Sequence, residues 1–146
     1  FAGMGPTLES DYSGEHYRIT HVWLDESQEQ MPRMIRPQGD LSLRVRLYSP
    51  DGRMPHLGFG WLRADGSAIF GSTSEVDDAK AERVDETHWE YRIGFQSLPL
   101  LPASYILRLH ALDPEGLRLF DTVERGVVVR GHSRQLGMVQ LMHRWN

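Results

Sequence analysis

The stretch "DLSLRVRLYS", positions 40 to 49, alternates without a break. Leu41, Leu43, Val45 and Leu47 point one way, and Ser42, Arg44, Arg46 and Tyr48 the other. A period of two is the period of a β-strand, and one apolar face beside one polar face marks an antiparallel strand wet on one side. The pattern recurs in "HWEYRIGFQ", where Trp89, Tyr91, Ile93 and Phe95 oppose His88, Glu90, Arg92 and Gln96. It recurs again in "SYILRLHAL", where Tyr105, Leu107, Leu109 and Ala111 oppose Ser104, Arg108 and His110.

Further strand signals lie between these three. "YRITHVWL" covers 17 to 24. "HLGFGWLR" and "SAIFGS" flank Asp65-Gly66, a hairpin signal. A proline-bounded corner, "SLPLLPAS", and a "DPEG" turn break up the later half. "LRLFDTV", "GVVVRG" and "GMVQLMHRW" read as three closing strands. The acidic run "SEVDDAKAERVDET" reads as a solvated loop. Eight or nine short strands at regular spacing, with no repeat and no long amphipathic helix, predict an all-β chain. The expected form is an antiparallel β-sandwich of the jelly-roll or Ig-like kind.

The 146 residues suit one domain. Residues 1 to 16 are rich in Gly, Ser and acids and read as a linker or flexible arm, leaving 17 to 146 for the sandwich. An opening such as "FAGMGP" leads to the expectation of a piece of a longer protein. The net charge of -4 comes from interspersed acids and bases and argues against a nucleic-acid binder, which would carry a basic stripe. There is no cysteine, hence no disulfide framework and no thiolate metal site. No apolar run approaches the ~20 residues that span a bilayer as a helix.

The strand "HLGFGWLR" sets Phe59 and Trp61 on one face and bare Gly58 and Gly60 on the other. A sheet face without side chains either packs closely on something or leaves room for a ligand. No phosphate loop, dinucleotide fingerprint, nucleophile elbow or zinc-protease helix motif is present. The seven histidines include no pair two or four residues apart, so no metal site and no cofactor are expected. No catalytic residues are assigned, and the domain is expected not to be an enzyme.

The order of motifs resembles the C-terminal carbohydrate-binding domain of the ATPase subunit of O-antigen polysaccharide ABC transporters, the Wzt type. The matching stretches are "ITHVWLDES", "GDLSLRVRLYS", "HLGFGWLRADGSAIFGSTS", "YRIGFQSLPLLPASYILRLHAL", "LFDTVERGVVVRG" and "LGMVQLMHRWN", over about 17 to 146. The resemblance implies a jelly-roll-like sandwich behind a separate nucleotide-binding domain. It implies binding of the finished polysaccharide, commonly at its modified non-reducing end, on the concave face of one sheet. It also implies a homodimer with an exchanged terminal strand, working with a transmembrane subunit at the cytoplasmic face of the bacterial inner membrane.

On this view Gly58 and Gly60 form a trough, and alternation selects Arg44, Arg46, Tyr48, His56, Glu90, Arg92, Arg108 and His110 as its lining. Guanidinium forks can donate paired hydrogen bonds to hydroxyls, and a ring can cover a sugar's C–H face. A one-residue slip of the hairpin would put Trp61 or Phe70 in the groove instead. Two other classes stay open. Outward Arg and Glu could be ordinary solvated cross-strand pairs on an Ig-like protein-interaction module. A jelly-roll hydrolase would need a second carboxylate near Glu90.

Overall fold

A computed structural model describes residues 16 to 146. The chain folds as a two-sheet β-sandwich of nine strands: β1 (Arg18–Leu24), β2 (Arg33–Ile35), β3 (Leu41–Tyr48), β4 (His56–Arg63), β5 (Ala68–Thr73), β6 (Glu82–Arg83), β7 (His88–Phe95), β8 (Ala103–Leu112) and β9 (Leu119–Val129). The four-stranded sheet runs β1-β3-β7-β6, and the five-stranded sheet runs β2-β9-β8-β4-β5. All pairings are antiparallel except β2 with β9.

Alternation chooses which side of each strand is buried. In β3, Leu41, Leu43, Val45 and Leu47 are all sealed inside. Their partners on β7 are Phe95, Ile93, Tyr91 and Trp89. The facing sheet contributes Leu57 and Trp61 from β4, Tyr105, Leu107, Leu109 and Ala111 from β8, and Val127 and Val129 from β9. Full burial of each such aliphatic side chain is worth roughly 1.5–3 kcal/mol, so these two inner faces dominate stability.

Turn chemistry closes the strands. Gly66 takes φ +92° in the β4–β5 turn, donating its N–H to the Arg63 carbonyl at 2.8 Å. Gly116 takes φ +72° in the β8–β9 turn, where the Asp113 carboxylate accepts from the N–H groups of Leu117 and Arg118. The acidic stretch after β5 is turn and loop around the two-residue β6.

The structure revises two expectations. "LRLFDTV" and "GVVVRG" belong to one strand, β9, rather than two. Gly126 does not break it: the residue pairs with Ile106, and its bare backbone lets Pro32 lie across, 3.3 Å from where a Cβ would stand. "GMVQLMHRW" is not a strand; only Val139 bridges, to Leu100, held by N–H groups of Leu101 and Gln140 on the carbonyls of Met138 and Pro99. Beyond that clasp Leu141, Met142 and Trp145 stand in solvent, so the segment has no neighbouring strand to pair with in a single chain. The expected arm over 1 to 16 lies outside the described residues except for His16, whose ring stacks on Phe120 at 5.2 Å.

Candidate functional site

The ten residues singled out from the sequence lie on two opposite outer faces, not in one groove. Alternation separates inside from outside but does not say which sheet a strand joins. Arg44, Arg46, Tyr48, Glu90 and Arg92 share the outer face of the four-stranded sheet, because β3 and β7 are neighbours with Arg44 opposite Arg92, Arg46 opposite Glu90 and Tyr48 opposite His88. Gly58, Gly60, Arg108 and His110 share the outer face of the five-stranded sheet, with Gly58 opposite His110 and Gly60 opposite Arg108. His56 starts β4 at one end of that second face, its Nδ1 2.7 Å from the Ser74 hydroxyl.

On the four-stranded face, Glu90 is the organising group. It is only 7% exposed although it points away from the core. Its carboxylate accepts from Arg46 Nε at 3.0 Å, Arg46 Nη2 at 2.9 Å, Arg44 Nη1 at 3.3 Å and Arg92 Nη2 at 3.5 Å. Burial pushes its pKa up, but the hydrogen bonds from Arg46 and Arg44 outweigh that and hold it below the usual glutamate range. Glu90 is therefore ionised at neutral pH, beneath three cations.

Rings complete this layer. The Arg44 guanidinium lies 3.7 Å from the centroid of Trp23, and His21 stacks on that indole at 5.4 Å with 10° between planes. Arg18 covers Tyr48 at 4.4 Å, and Tyr48 meets His88 at 5.6 Å. Such cation–π contacts contribute about 0.5–2 kcal/mol and orient the guanidiniums. Sequence reasoning missed Trp23 and Arg18. The signal was there for Trp23, since His21 and Trp23 alternate with Val22 and Leu24. The bulge between Ile19 and His21 shifts the phase before that point, so Arg18 could not be placed by alternation.

The five-stranded face is different. A Cβ on Gly58 would meet His110 and the Thr73 methyl at 3.5 Å, so neighbouring side chains already close over that glycine. Over Gly60 only Leu62 comes within reach, at 4.0 Å. The trough is thus confined to Gly60 and, opposite it on β5, Gly71. Arg108 donates to Glu124 at 2.6 Å, and His110 Nδ1 lies 3.1 Å from the Thr122 hydroxyl. Burial, then the nearby Arg108 charge, lowers the His110 pKa to about 4, which keeps the ring neutral at pH 7.

Trp61 is not in either surface. It pairs with Leu107 and faces the core, 4% exposed. Phe70 is largely exposed on the edge strand β5 and lines an apolar cavity of about 480 Å³ with Trp61, Ile69, Phe95, Leu100 and Val139. Among the described residues no three His, Cys, Asp or Glu side chains come together as a metal-binding group, and no helix is long and apolar enough to cross a membrane. The carboxylates nearest Glu90 are Glu82, opposite it on the edge strand β6, and Glu26, which shares Arg44 with it; the Glu90 carboxylate itself is taken up by Arg44, Arg46 and Arg92. A scan against protein-family models finds no match to this chain. No curated protein matches it either.

Proposed function

We propose that this chain is a non-catalytic carbohydrate-binding module. It holds a finished O-antigen polysaccharide by the modified non-reducing end and couples that recognition to export by an ABC transporter. The observation that carries this function is the continuous layer of Trp23, Tyr48, Arg44, Arg46, Arg92 and Glu90 across three neighbouring strands of one sheet. Tyr48 there supplies a partly exposed ring, Trp23 backs the Arg44 guanidinium from below, and the fixed guanidinium forks supply directed donors to the hydroxyls of a pyranose polymer. The order of motifs along the chain supports the transporter setting. In that setting the module works beside a nucleotide-binding domain and a transmembrane subunit, at the cytoplasmic face of the bacterial inner membrane.

A homodimer joined by exchanged terminal segments belongs to the same proposal. Its support is the apolar end of the chain: Leu141, Met142 and Trp145 are 74%, 101% and 90% exposed in the single chain. Two linked copies would hold two stretches of one polymer and raise a weak single-site affinity.

The test is a panel of immobilised bacterial O-polysaccharides probed with the 146-residue chain and with Arg92→Ala. Arg92 is the exposed member of the layer, with a side chain 66% accessible, so its loss should leave the melting temperature in place. Binding to at least one glycan, weakened by about tenfold in the variant, is the expected result. A panel on which nothing binds, or an unaltered Arg92→Ala, overturns this function.

A further inference from the structure

We infer that the saccharide taken by the four-stranded face is acidic, bearing carboxylate or phosphate groups along or at the end of the chain. This rests on the carbohydrate-binding function proposed above and narrows its ligand. A guanidinium carries five N–H donors and no acceptor, whereas a sugar hydroxyl both gives and takes. Arg44, Arg46 and Arg92 crowd three such groups onto two adjacent strands.

The acceptors within reach are few. Glu90 takes one contact from Arg44, two from Arg46 and a long one from Arg92, and Glu26 takes Arg44 Nε at 3.2 Å. The Glu90 carboxylate lies beneath the layer, its side chain 8% accessible, so it fixes the forks from below and offers little to a ligand. A visiting molecule meets donors. A group that only accepts satisfies them best, and charge-assisted bonds of that kind are roughly twice as strong as neutral ones.

Charge points the same way. The chain as a whole carries -4, yet this surface gathers Arg18, Arg44, Arg46 and Arg92. The other carboxylates around it are Asp25 and Glu26 just past the end of β1, Asp85 bonded to His88, and Glu82 on the edge strand β6 opposite Glu90, so the guanidiniums are concentrated at the centre of the face and the acids at its rim. The five-stranded face has no such cluster of guanidiniums, and its Arg108 is matched one to one by Glu124.

The experiment measures binding of the full chain to three saccharides and one control: oligogalacturonate for carboxylates, a phosphorylated mannan for phosphates, the same mannan after dephosphorylation, and polyglutamate as a sugar-free polyanion. Binding is read at low and high sodium chloride. Preference for either acidic saccharide over neutral mannan by about tenfold or more, falling with salt, is expected. Arg92→Glu, on an exposed side chain, should erase that preference without moving the melt. Equal or better binding of the neutral mannan, indifferent to salt, overturns the inference and leaves carbohydrate binding standing. Polyglutamate binding as tightly as the acidic saccharides also overturns it, because the face would then read charge alone. Failure of every saccharide overturns both the inference and the function beneath it.

Discussion

His110 titrates in an unusual place for a histidine, and that gives stability a pH dependence of known sign. Its folded pKa is about 4, depressed by burial and by Arg108, with Glu124 opposing. The unfolded value is near 6.5, so between those limits the unfolded chain takes up a proton that the folded one refuses. The His110 contribution is complete above about pH 6.5 and declines as pH falls toward 4, by on the order of 1–3 kcal/mol. His110→Gln should flatten thermal melts across pH 4 to 6.5; a variant that still loses stability as steeply as the parent would place the sensitive group elsewhere. Lower still, Asp51 takes over. Burial raises its pKa, but hydrogen bonds from Tyr17, Arg53 and Ser49 outweigh that and hold it far below the usual carboxylate range. Being depressed, it adds stability above about pH 4 that acid removes. The same bond raises the Tyr17 pKa to about 12, with burial the larger cause.

Among the elements, the β4–β5 hairpin separates two uses of glycine. Gly60 and Gly71 face each other across it. A Cβ at 71 would stand 2.9 Å from the Phe59 carbonyl oxygen, while a Cβ at 60 would meet only Leu62, at 4.0 Å. Gly71→Ala should therefore cost about 1–3 kcal/mol in urea unfolding, as overpacking does. Gly60→Ala should stay within about 0.5 kcal/mol. Equal costs at the two positions would mean that the strands adjust more freely than their hydrogen bonding allows. Elements also show what the sequence could tell. The inward Leu and Val of β3 were readable because alternation is a local property of one strand. The grouping of Arg44, Arg46, Glu90 and Arg92 required β3 and β7 to be neighbours, which alternation alone does not supply, since β4 to β6 lie between them in the chain. Their separation from Arg108 and His110 was not readable either, because sheet membership depends on how the chain crosses between layers. The closing "GMVQLMHRW" misled for a related reason: a strand-like composition forms a strand only where another offers its edge.

For the whole molecule, the question is how many copies make the working unit. Tyr105 donates to the carbonyls of Leu101 and Met138, and Val139 bridges Leu100, so the chain is anchored up to Gln140 by its own contacts. Residues 141 to 146 lie beyond that anchor and are all exposed. Deleting 141 to 146 should leave the melting temperature where it is and reduce the solution mass from two chains to one, as read by light scattering. A dimer that survives the deletion, or a parent that is already a single chain, removes the terminal exchange. One more feature bears on any such assembly. β5 terminates the five-stranded sheet, and from Gly66 to Ser74 it offers no charged residue and no proline. Strands in that position are commonly guarded by lysine, proline or a kink, which discourage strangers from zipping on. Here lysine and proline are absent and the guard is a single bulge at Ile69, so from Phe70 to Thr73 concentrated preparations carry an adhesive seam, and solubility will depend on whatever comes to lie along it.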